Sequence, residues 1–249
     1  MNAKFLSVLT VAAATALFGA ISTPAQAASL NAGESFGTNG ILFAEDTTVD
    51  FGFISTQGSF KSNLKIFEGS TAVFDLFAEK NRWDGGNTTS ATNTNDWLGT
   101  SSNIVDPSTK SFTFKAGKTY SLGLESWGWN GNWVAKAPVS STTAQNTNGE
   151  QHAKFFAASD IRDLNNPLSY SRKTDLGNGA GLSTDPLASL GVISFEDTLF
   201  GDSDKDYNDF MVTATARRVN ASVPEPATLA GIALVGSSLV FSRRRRSVV

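Results

Sequence analysis

Alternating apolar and polar positions predict β-strands along most of this chain. The clearest alternation is FMVTATAR at 210–217, where Phe, Val, Ala and Ala occupy every second position. A period of two is typical of a strand with one buried face. Residues 192–195 are apolar and partly β-branched, which predicts another strand shortly before it. Further candidate strands lie at 41–43, 51–54, 60–67, 72–77 and 153–157.

Three consecutive pieces of sequence predict a β-hairpin. FTF at 112–114 and YSLGL at 120–124 alternate, and KAGK at 115–118 has the composition of a turn. Two polar stretches, 81–103 and 135–150, predict surface loops. No window in this part of the chain has the i, i+3, i+4 spacing of an amphipathic helix. The predicted fold class is therefore all-β.

The connection between the last two predicted strands, residues 196–209, is unusually acidic. Its six acidic side chains would repel one another unless a cation lies among them. Positions 202, 204, 206 and 208 carry Asp, Asp, Asp and Asn, the alternate spacing of oxygen ligands in a calcium loop. The predicted metal ligands are Glu196, Asp197, Asp202, Asp204, Asp206, Asn208 and Asp209.

This acidic segment is not an EF-hand. Counting from Asp202, the sixth position is Tyr207 rather than Gly, and the twelfth is Thr213 rather than Glu. Carboxylate and amide oxygens favour Ca²⁺ over zinc or copper, and the chain has no cysteine to supply a thiolate. The alternative is a solvated turn, because Asp and Asn also favour turns.

Three tryptophans, Trp127, Trp129 and Trp133, follow one predicted strand. They predict either a sugar-binding platform or a strand end packed into the core, since indole rings serve both purposes. Trp83 and Trp97 lie in the polar stretch at 81–103, where core packing explains them poorly. The candidate glycan-binding residues are Trp127, Trp129, Trp133 and Trp97.

The N-terminus predicts export. Lys4 precedes an apolar run at 5–21, and Ala25-Gln26-Ala27 supplies a small-residue cleavage site. This is the layout of a secretory signal peptide, with an uncleaved anchor helix as the alternative. We expect residues 1–27 to form the signal helix, with cleavage after Ala27.

The C-terminus predicts a second targeting segment. Val223-Pro224-Glu225-Pro226 precedes fifteen uncharged residues at 227–241 and then Arg243, Arg244, Arg245 and Arg246. A helix of that length covers about 22 Å, short of a bilayer core of about 30 Å. The segment 223–249 resembles the PEP-CTERM sorting signal. That resemblance implies transient membrane anchoring, an exosortase-type processing enzyme as partner, cleavage near Pro-Glu-Pro, and delivery to the outer surface or medium.

The segment between the two ends, residues 28–222, is predicted to be one domain. It carries 15 basic and 22 acidic side chains, a net charge of −7. An acidic surface disfavours nucleic acid as a partner, because that partner requires basic patches.

A second resemblance covers the acidic segment. Phe195-Glu196-Asp197, Gly201-Asp202 and the run DKDYND at 204–209 resemble an exported bacterial domain family of unknown function. The resemblance implies a jelly-roll-like antiparallel β-sandwich with a calcium loop. Glu196, Asp197, Asp204, Asp206, Asn208 and Asp209 match its signature, and His152 matches an upstream histidine more loosely.

The leading hypothesis is an exported, calcium-binding protein with a structural or adhesive role at the cell surface or in the extracellular matrix. The first alternative is a polysaccharide-binding module that uses the tryptophans. The second is a matrix-polymer hydrolase, although the single histidine, His152, has no nucleophile motif to accompany it. We therefore expect no enzyme activity.

Overall fold

A computed structural model describes residues 28–84, 97–105, 107–160, 183, 185–199, 201 and 205–218. The predicted signal helix (1–27) and C-terminal helix (223–249) lie outside the described residues. Within the described ranges, no helix is long and apolar enough to cross a membrane. The helices found there are short 3-10 turns, at Ser101–Asn103, Thr143–Gln145, Thr147–Gly149 and Ala158–Asp160.

The described chain contains thirteen strands in two antiparallel sheets. The strands are β1 (Ser35–Gly37), β2 (Gly40–Leu42), β3 (Thr47–Gly58), β4 (Lys61–Glu68), β5 (Thr71–Ala78), β6 (Trp97–Gly99), β7 (Thr109–Phe114), β8 (Thr119–Trp129), β9 (Trp133–Ala135), β10 (Val139–Ser140), β11 (Ala153–Ala157), β12 (Gly191–Phe195) and β13 (Phe210–Arg218). The first sheet has the order β1-β2-β8-β4-β5, with β9 and β10 also paired to β8. The second has the order β11-β12-β13-β3-β6, with β7 also paired to β3.

The two sheets pack as a sandwich around one large apolar core. Phe210, Val212, Ala214 and Ala216 of β13 are all buried in it, as the alternation predicted. Leu122 and its alternate neighbours on β8 meet them from the opposite sheet. The prediction of an all-β fold is confirmed.

Aromatic rings supply much of this core. Phe53 and Phe210 meet edge to face with ring centroids 5.6 Å apart, and Phe114 and Tyr120 do so at 5.2 Å. Edge-to-face contacts of this kind add about 0.5–1.5 kcal/mol beyond the burial of the rings. The second contact joins the two sheets across the sandwich.

The predicted hairpin at 112–124 is wrong. A turn does occur at 115–118, where Gly117 has a φ of 72°. However, β7 pairs with β3 in the second sheet, and β8 pairs with β2 and β4 in the first. Phe114 and Tyr120 both point into the core from facing sheets, and the turn therefore crosses the sandwich. The alternating pattern correctly predicts both strands, but it does not identify the strand with which each one pairs.

The acidic segment connects two neighbouring strands, as predicted. β12 and β13 pair antiparallel with Phe195 opposite Phe210, so residues 196–209 lie at one end of the second sheet. His152 directly precedes β11, which pairs with β12 on its other side. The two predicted loops contain short strands as well: β6 follows the first part of 81–103, and β9 and β10 lie within or next to 135–150.

Candidate functional site

Five side chains of the predicted metal set lie together where β12 ends and β13 begins. We call Glu196, Asp197, Asp206, Asn208 and Asp209 the acidic corner. Glu196 and Asn208 have no exposed surface, and Asp206 and Asp197 are only 3% and 5% exposed. The remaining two predicted ligands, Asp202 and Asp204, lie outside the described residues.

The carboxylate of Glu196 shapes the loop of the acidic corner. It accepts the backbone N–H of Lys205 at 3.2 Å and also that of Tyr207. Lys205 and Tyr207 have positive φ values of 65° and 60°, which side chains other than glycine adopt only when their surroundings enforce them. These two hydrogen bonds hold the loop in that conformation.

Asp206 and Asp209 are also held by local hydrogen bonds. Asp206 accepts the backbone N–H of Asn208 at 3.2 Å and its side-chain Nδ2 at 2.7 Å. Asp209 accepts the backbone N–H of Asp197 at 2.9 Å. The described part of the loop is therefore folded back on itself. Local Asp and Asn hydrogen bonds of this kind also occur in turns without a metal, so that alternative stays open.

Negative charge accumulates at the acidic corner. Burial raises the pKa of Asp209 well above its ordinary value, and the charges of Asp197, Glu196 and Asp206 raise it further. A nearby cation, Lys154, lies with its Nζ 4.1 Å from the ring centroid of Tyr207. Burial lowers the pKa of Lys154, because removal from water disfavours the charged form of its amine.

His152 braces the acidic corner through its backbone. Its carbonyl accepts the N–H of Glu196 at 2.9 Å, and its Nε2 lies 3.3 Å from Oε2 of Glu150. Burial lowers the pKa of His152, an effect that Glu150 opposes. The hydroxyl of Tyr207 donates to the carbonyl of Gln151 at 2.8 Å. The segment before β11 is thus tied to the loop after β12 at several points.

Among the residues that the structure describes, no group of three or more His, Cys, Asp or Glu side chains is arranged to hold a metal ion. The acidic corner supplies Asp206 and Asn208 from the alternating run, while Asp202 and Asp204 fall in the gap before Lys205. The chemistry of the available donors is nevertheless that of a hard-cation site, because all of them are carboxylate or amide oxygens.

Gly58 at the end of β3 packs against the acidic corner. A Cβ at this position would lie 2.9 Å from Oδ1 of Asp209 and 3.5 Å from Oδ2 of Asp197. Gly58 is also the register partner of Trp97 in β6. The acidic corner therefore touches the strand that carries one of the predicted glycan-binding tryptophans.

The tryptophans form a second candidate site, which we call the aromatic cleft. Asn81, Arg82, Trp83, Trp129 and Trp133 line it, and its volume is about 320 Å³. Trp129 and Trp133 are 51% and 36% exposed and meet edge to face at 5.1 Å. These two rings are not in the core.

Two of the four predicted glycan-binding tryptophans line the cleft, and two do not. Trp97 is not in the lining and packs against Trp83 with the ring planes tilted by 38°. Trp127 is half-buried on β8 and is paired with Lys61 and Ala135. Sequence reasoning missed Asn81 and Arg82 and left Trp83 out of the set. The available signal was the adjacent pair Arg82-Trp83 at the start of the polar stretch.

Arg82 lies against two indole rings that are in contact with each other. Its guanidinium carbon lies 4.4 Å from the ring centroid of Trp83 and 4.3 Å from that of Trp97. On the opposite wall, Nζ of Lys61 lies 5.8 Å from the ring centroid of Trp133. Cation–π contacts of this kind fix the side chains and place positive charge at the cleft.

A buried polar cluster supports the floor of the cleft. Glu79 accepts hydrogen bonds from Oγ1 of Thr56 (2.5 Å), N of Ser62 (2.8 Å) and Nδ2 of Asn103 (3.0 Å). Asn103 also donates to the carbonyl of Asn81 at 2.6 Å. Burial raises the pKa of Glu79 to about 8, against the three hydrogen bonds. Nothing in the sequence pattern marked Glu79 as buried.

Comparison with known families bears on the C-terminal part of the sandwich. The model of the family described as a domain of unknown function, DUF4114, matches residues 114–217. This part of the chain is a DUF4114 domain. No curated protein and no solved structure matches the chain.

The DUF4114 match contains the described acidic corner and His152. The aromatic cleft crosses its boundary, since Trp129 and Trp133 lie inside the match while Asn81, Arg82 and Trp83 lie outside it. The cleft is thus assembled from the DUF4114 segment and from the sequence that precedes it.

Proposed function

We propose that this protein is an exported structural or adhesive component of the cell surface or extracellular matrix, with a Ca²⁺ ion bound at the acidic corner. The observation that carries the proposal is the crowding of four buried or partly buried carboxylates, Glu196, Asp197, Asp206 and Asp209. A divalent cation would relieve their mutual repulsion.

Residues of the loop on both sides of Lys205 would together complete the coordination shell of the ion. Asp202 and Asp204 continue the alternating run to Asp206 and Asn208. Glu196 already accepts two backbone N–H groups, so we assign it chiefly to holding the loop in place. Bound Ca²⁺ would fasten β12 to β13 at this end of the second sheet and make the sandwich more rigid.

Export supports the same role. The signal peptide at 1–27 and the PEP-CTERM-like segment at 223–249, both outside the described residues, would direct the chain through the inner membrane to an exosortase-type enzyme. Cleavage near Pro224-Glu225-Pro226 would release the domain from its transient anchor. We further infer a jelly-roll-like topology, which the crossing of the chain between sheets at 115–118 supports.

We propose that the protein is not an enzyme. Its single histidine, His152, is wholly buried and engaged with Glu150, whereas a general acid or base must reach the substrate. A panel of glycan and ester substrates should show no turnover by the purified protein. Turnover that is lost in a His152→Gln variant with an unchanged melting temperature would contradict this part of the proposal.

Calcium binding is tested by thermal unfolding. Saturation at about 100 times Kd stabilises a folded protein by about 2.7 kcal/mol, which corresponds to a rise in Tm of roughly 5–10 °C for a chain of this size. The double variant Asp206→Ala, Asn208→Ala should show no such rise. Asp75→Ala is the matched control, because its side chain is 73% exposed and lies on β5 in the other sheet. This variant should keep the full calcium-induced rise in Tm.

Identical melting of the wild-type protein in millimolar Ca²⁺ and in chelator would overturn the calcium proposal. An adhesive role also needs a surface that binds a partner, and the aromatic cleft is the candidate.

A further inference from the structure

We propose that the aromatic cleft binds an acidic polysaccharide. Sugar rings would stack on Trp129 and Trp133, and the carboxylates of the polymer would face Arg82 and Lys61. This binding site is separate from the calcium site and does not require that site to exist.

The exposure of the two rings is the first reason. Indole is the largest apolar side chain and is normally buried in large part, yet Trp129 is 51% exposed and Trp133 36% exposed. They sit on paired positions of β8 and β9, so a β-sheet holds both rings in place. Core packing does not explain them, whereas a stacking surface does.

The concave shape is the second reason. The two exposed rings form one wall, and Asn81, Arg82 and Trp83 form the other, around a volume of about 320 Å³. That volume falls in the range of small-molecule sites. The amide of Asn81 adds a hydrogen-bonding group beside the aromatic surface, which is the combination that a hydroxylated ring requires.

Local charge decides the class of sugar. The domain as a whole is acidic, but Lys80, Arg82, Lys61 and Lys136 are all next to the cleft or on the strands that form it. The described acid nearest in sequence, Asp84, accepts hydrogen bonds from the backbone N–H and hydroxyl of Thr100. Asp84 keeps its negative charge, and Glu125 of β8 forms an ion pair with Lys65 at 2.8 Å. The four cations outnumber these two acids, so the described residues around the cleft carry net positive charge.

The cleft is also organised before any ligand arrives. Arg82 makes cation–π contacts with both Trp83 and Trp97, and Asn103 accepts the N–H of Asn81 at 3.0 Å while donating to its carbonyl. Side chains that are already fixed lose little freedom on binding. This favours a specific site over a patch of exposed hydrophobic surface.

A polysaccharide fits better than nucleic acid. Nucleic acid carries one charge per about 1.7 Å of duplex and needs many cations to displace its counterions. The acidic domain offers only a few clustered cations, which match the wider spacing of carboxylates along a uronic-acid polymer.

The test measures binding of trigalacturonate and of its carboxyl-reduced, neutral counterpart, by calorimetry and by quenching of tryptophan fluorescence. We expect saturable binding of the acidic sugar that weakens with added salt, and at least tenfold weaker binding of the neutral one. Trp129→Ala should lose at least about tenfold in affinity, whereas Trp129→Phe should retain much of it.

Charge variants provide a matched pair. Lys61 and Lys110 each place Nζ 5.8 Å from an aromatic centroid, but only Lys61 does so at the cleft. Lys61→Gln should weaken binding of trigalacturonate several-fold, and Lys110→Gln should leave it unchanged. Melting temperatures establish that each variant is folded.

Four outcomes would overturn the proposal. They are no binding of trigalacturonate, equal binding of the acidic and neutral sugars, unchanged affinity in a folded Trp129→Ala, and equal losses in Lys61→Gln and Lys110→Gln. Single-stranded DNA serves as a competing polyanion in the same assay, and stronger binding of DNA than of the sugar would also overturn it.

Discussion

At the scale of single residues, Glu79 is the side chain that most depends on its surroundings. It is 1% exposed and accepts three hydrogen bonds, from Thr56, Ser62 and Asn103. Removal from water disfavours the carboxylate, while three donors favour it. Burial has the larger effect, and Asp84 adds a smaller one in the same direction, so the pKa rises to about 8.

This pKa predicts how stability changes with pH. The folded protein holds the proton of Glu79 up to about pH 8, whereas the unfolded chain releases it near the ordinary value of 4.5. The stabilising contribution is complete below pH 4.5 and is lost as the pH rises to about 8, at roughly 1.4 kcal/mol per pH unit at most. Unfolding in urea at several pH values measures this slope.

The variant Glu79→Gln should remove that dependence. Its amide stays neutral at every pH, so the free energy of unfolding should depend less on pH between about pH 5 and pH 8. Glu68→Gln is the control, because Glu68 pairs with Lys118 at the surface and should leave the slope unchanged. An equal slope in the wild-type protein and Glu79→Gln would show that Glu79 is ionised in the folded state.

At the scale of elements, the connection between β12 and β13 combines two functions in one short stretch. Glu196 fixes the backbone at Lys205 and Tyr207, and under the calcium proposal Asp206 and Asn208 would supply oxygens to the ion. Sequence reasoning placed these acids in one ligand set and singled out only Asp202, as either an extra ligand or a turn residue. The structure separates Glu196, which holds the backbone of the loop, from Asp206 and Asp209, which accept hydrogen bonds from Asn208 and Asp197.

We expect Glu196→Gln to destabilise the protein even in the absence of calcium. One amide N–H group would then face a backbone N–H, which leaves a buried donor without an acceptor at a cost of about 1–3 kcal/mol. The melting temperature should fall by several degrees in chelator and by a similar amount in Ca²⁺. A fall seen only in Ca²⁺ would instead identify Glu196 chiefly as a metal ligand.

The strands could be predicted because their alternation is local. β11, β12 and β13 were found almost to the residue, since burial of one face imposes a period of two on the sequence itself. The partner of each strand could not be predicted in the same way. β7 and β8 alternate as a hairpin would, but their pairing depends on β3 and β4, which lie far away in sequence.

The two candidate sites also differ in whether their residues are near one another in sequence or only in space. The acidic corner could be proposed from the sequence because its residues lie within one short segment, 196–209, that is more acidic than its neighbours. The aromatic cleft brings Arg82 and Trp83 to Trp129 and Trp133 across two strands, and only the three-dimensional pairing brings them together. Sequence alone favoured core packing of the tryptophan run, with glycan binding as the alternative.

At the scale of the whole molecule, the DUF4114 match covers only part of one sandwich. It supplies β8 to β13, yet β8 pairs with β2 and β4, and β13 pairs with β3. The sequence before residue 114 therefore completes both sheets. It also contributes one wall of the aromatic cleft, so binding at this cleft would not be a general property of the DUF4114 segment alone.

The acidic corner and the aromatic cleft are joined by the end of β3. Gly58 packs on Asp209 and Asp197, pairs with Trp97 in β6, and so connects the corner to the rings that hold Arg82. We therefore expect Ca²⁺ to strengthen binding of trigalacturonate about fivefold, a coupling of about 1 kcal/mol. Reciprocity requires that trigalacturonate raise the affinity for Ca²⁺ by the same factor.

Variants separate this coupling from calcium held by the sugar itself. In Asp206→Ala, Asn208→Ala, trigalacturonate should bind with the affinity that the wild-type protein shows in chelator, whether or not Ca²⁺ is added. Gly58→Ala places a methyl group against Asp209, a predicted ligand, and leaves the cleft residues unchanged. It should weaken Ca²⁺ binding and the calcium enhancement while sparing sugar binding in chelator. Calcium enhancement that persists in the double variant would mean that the ion acts through the sugar rather than through β3, because the acidic corner could no longer hold it.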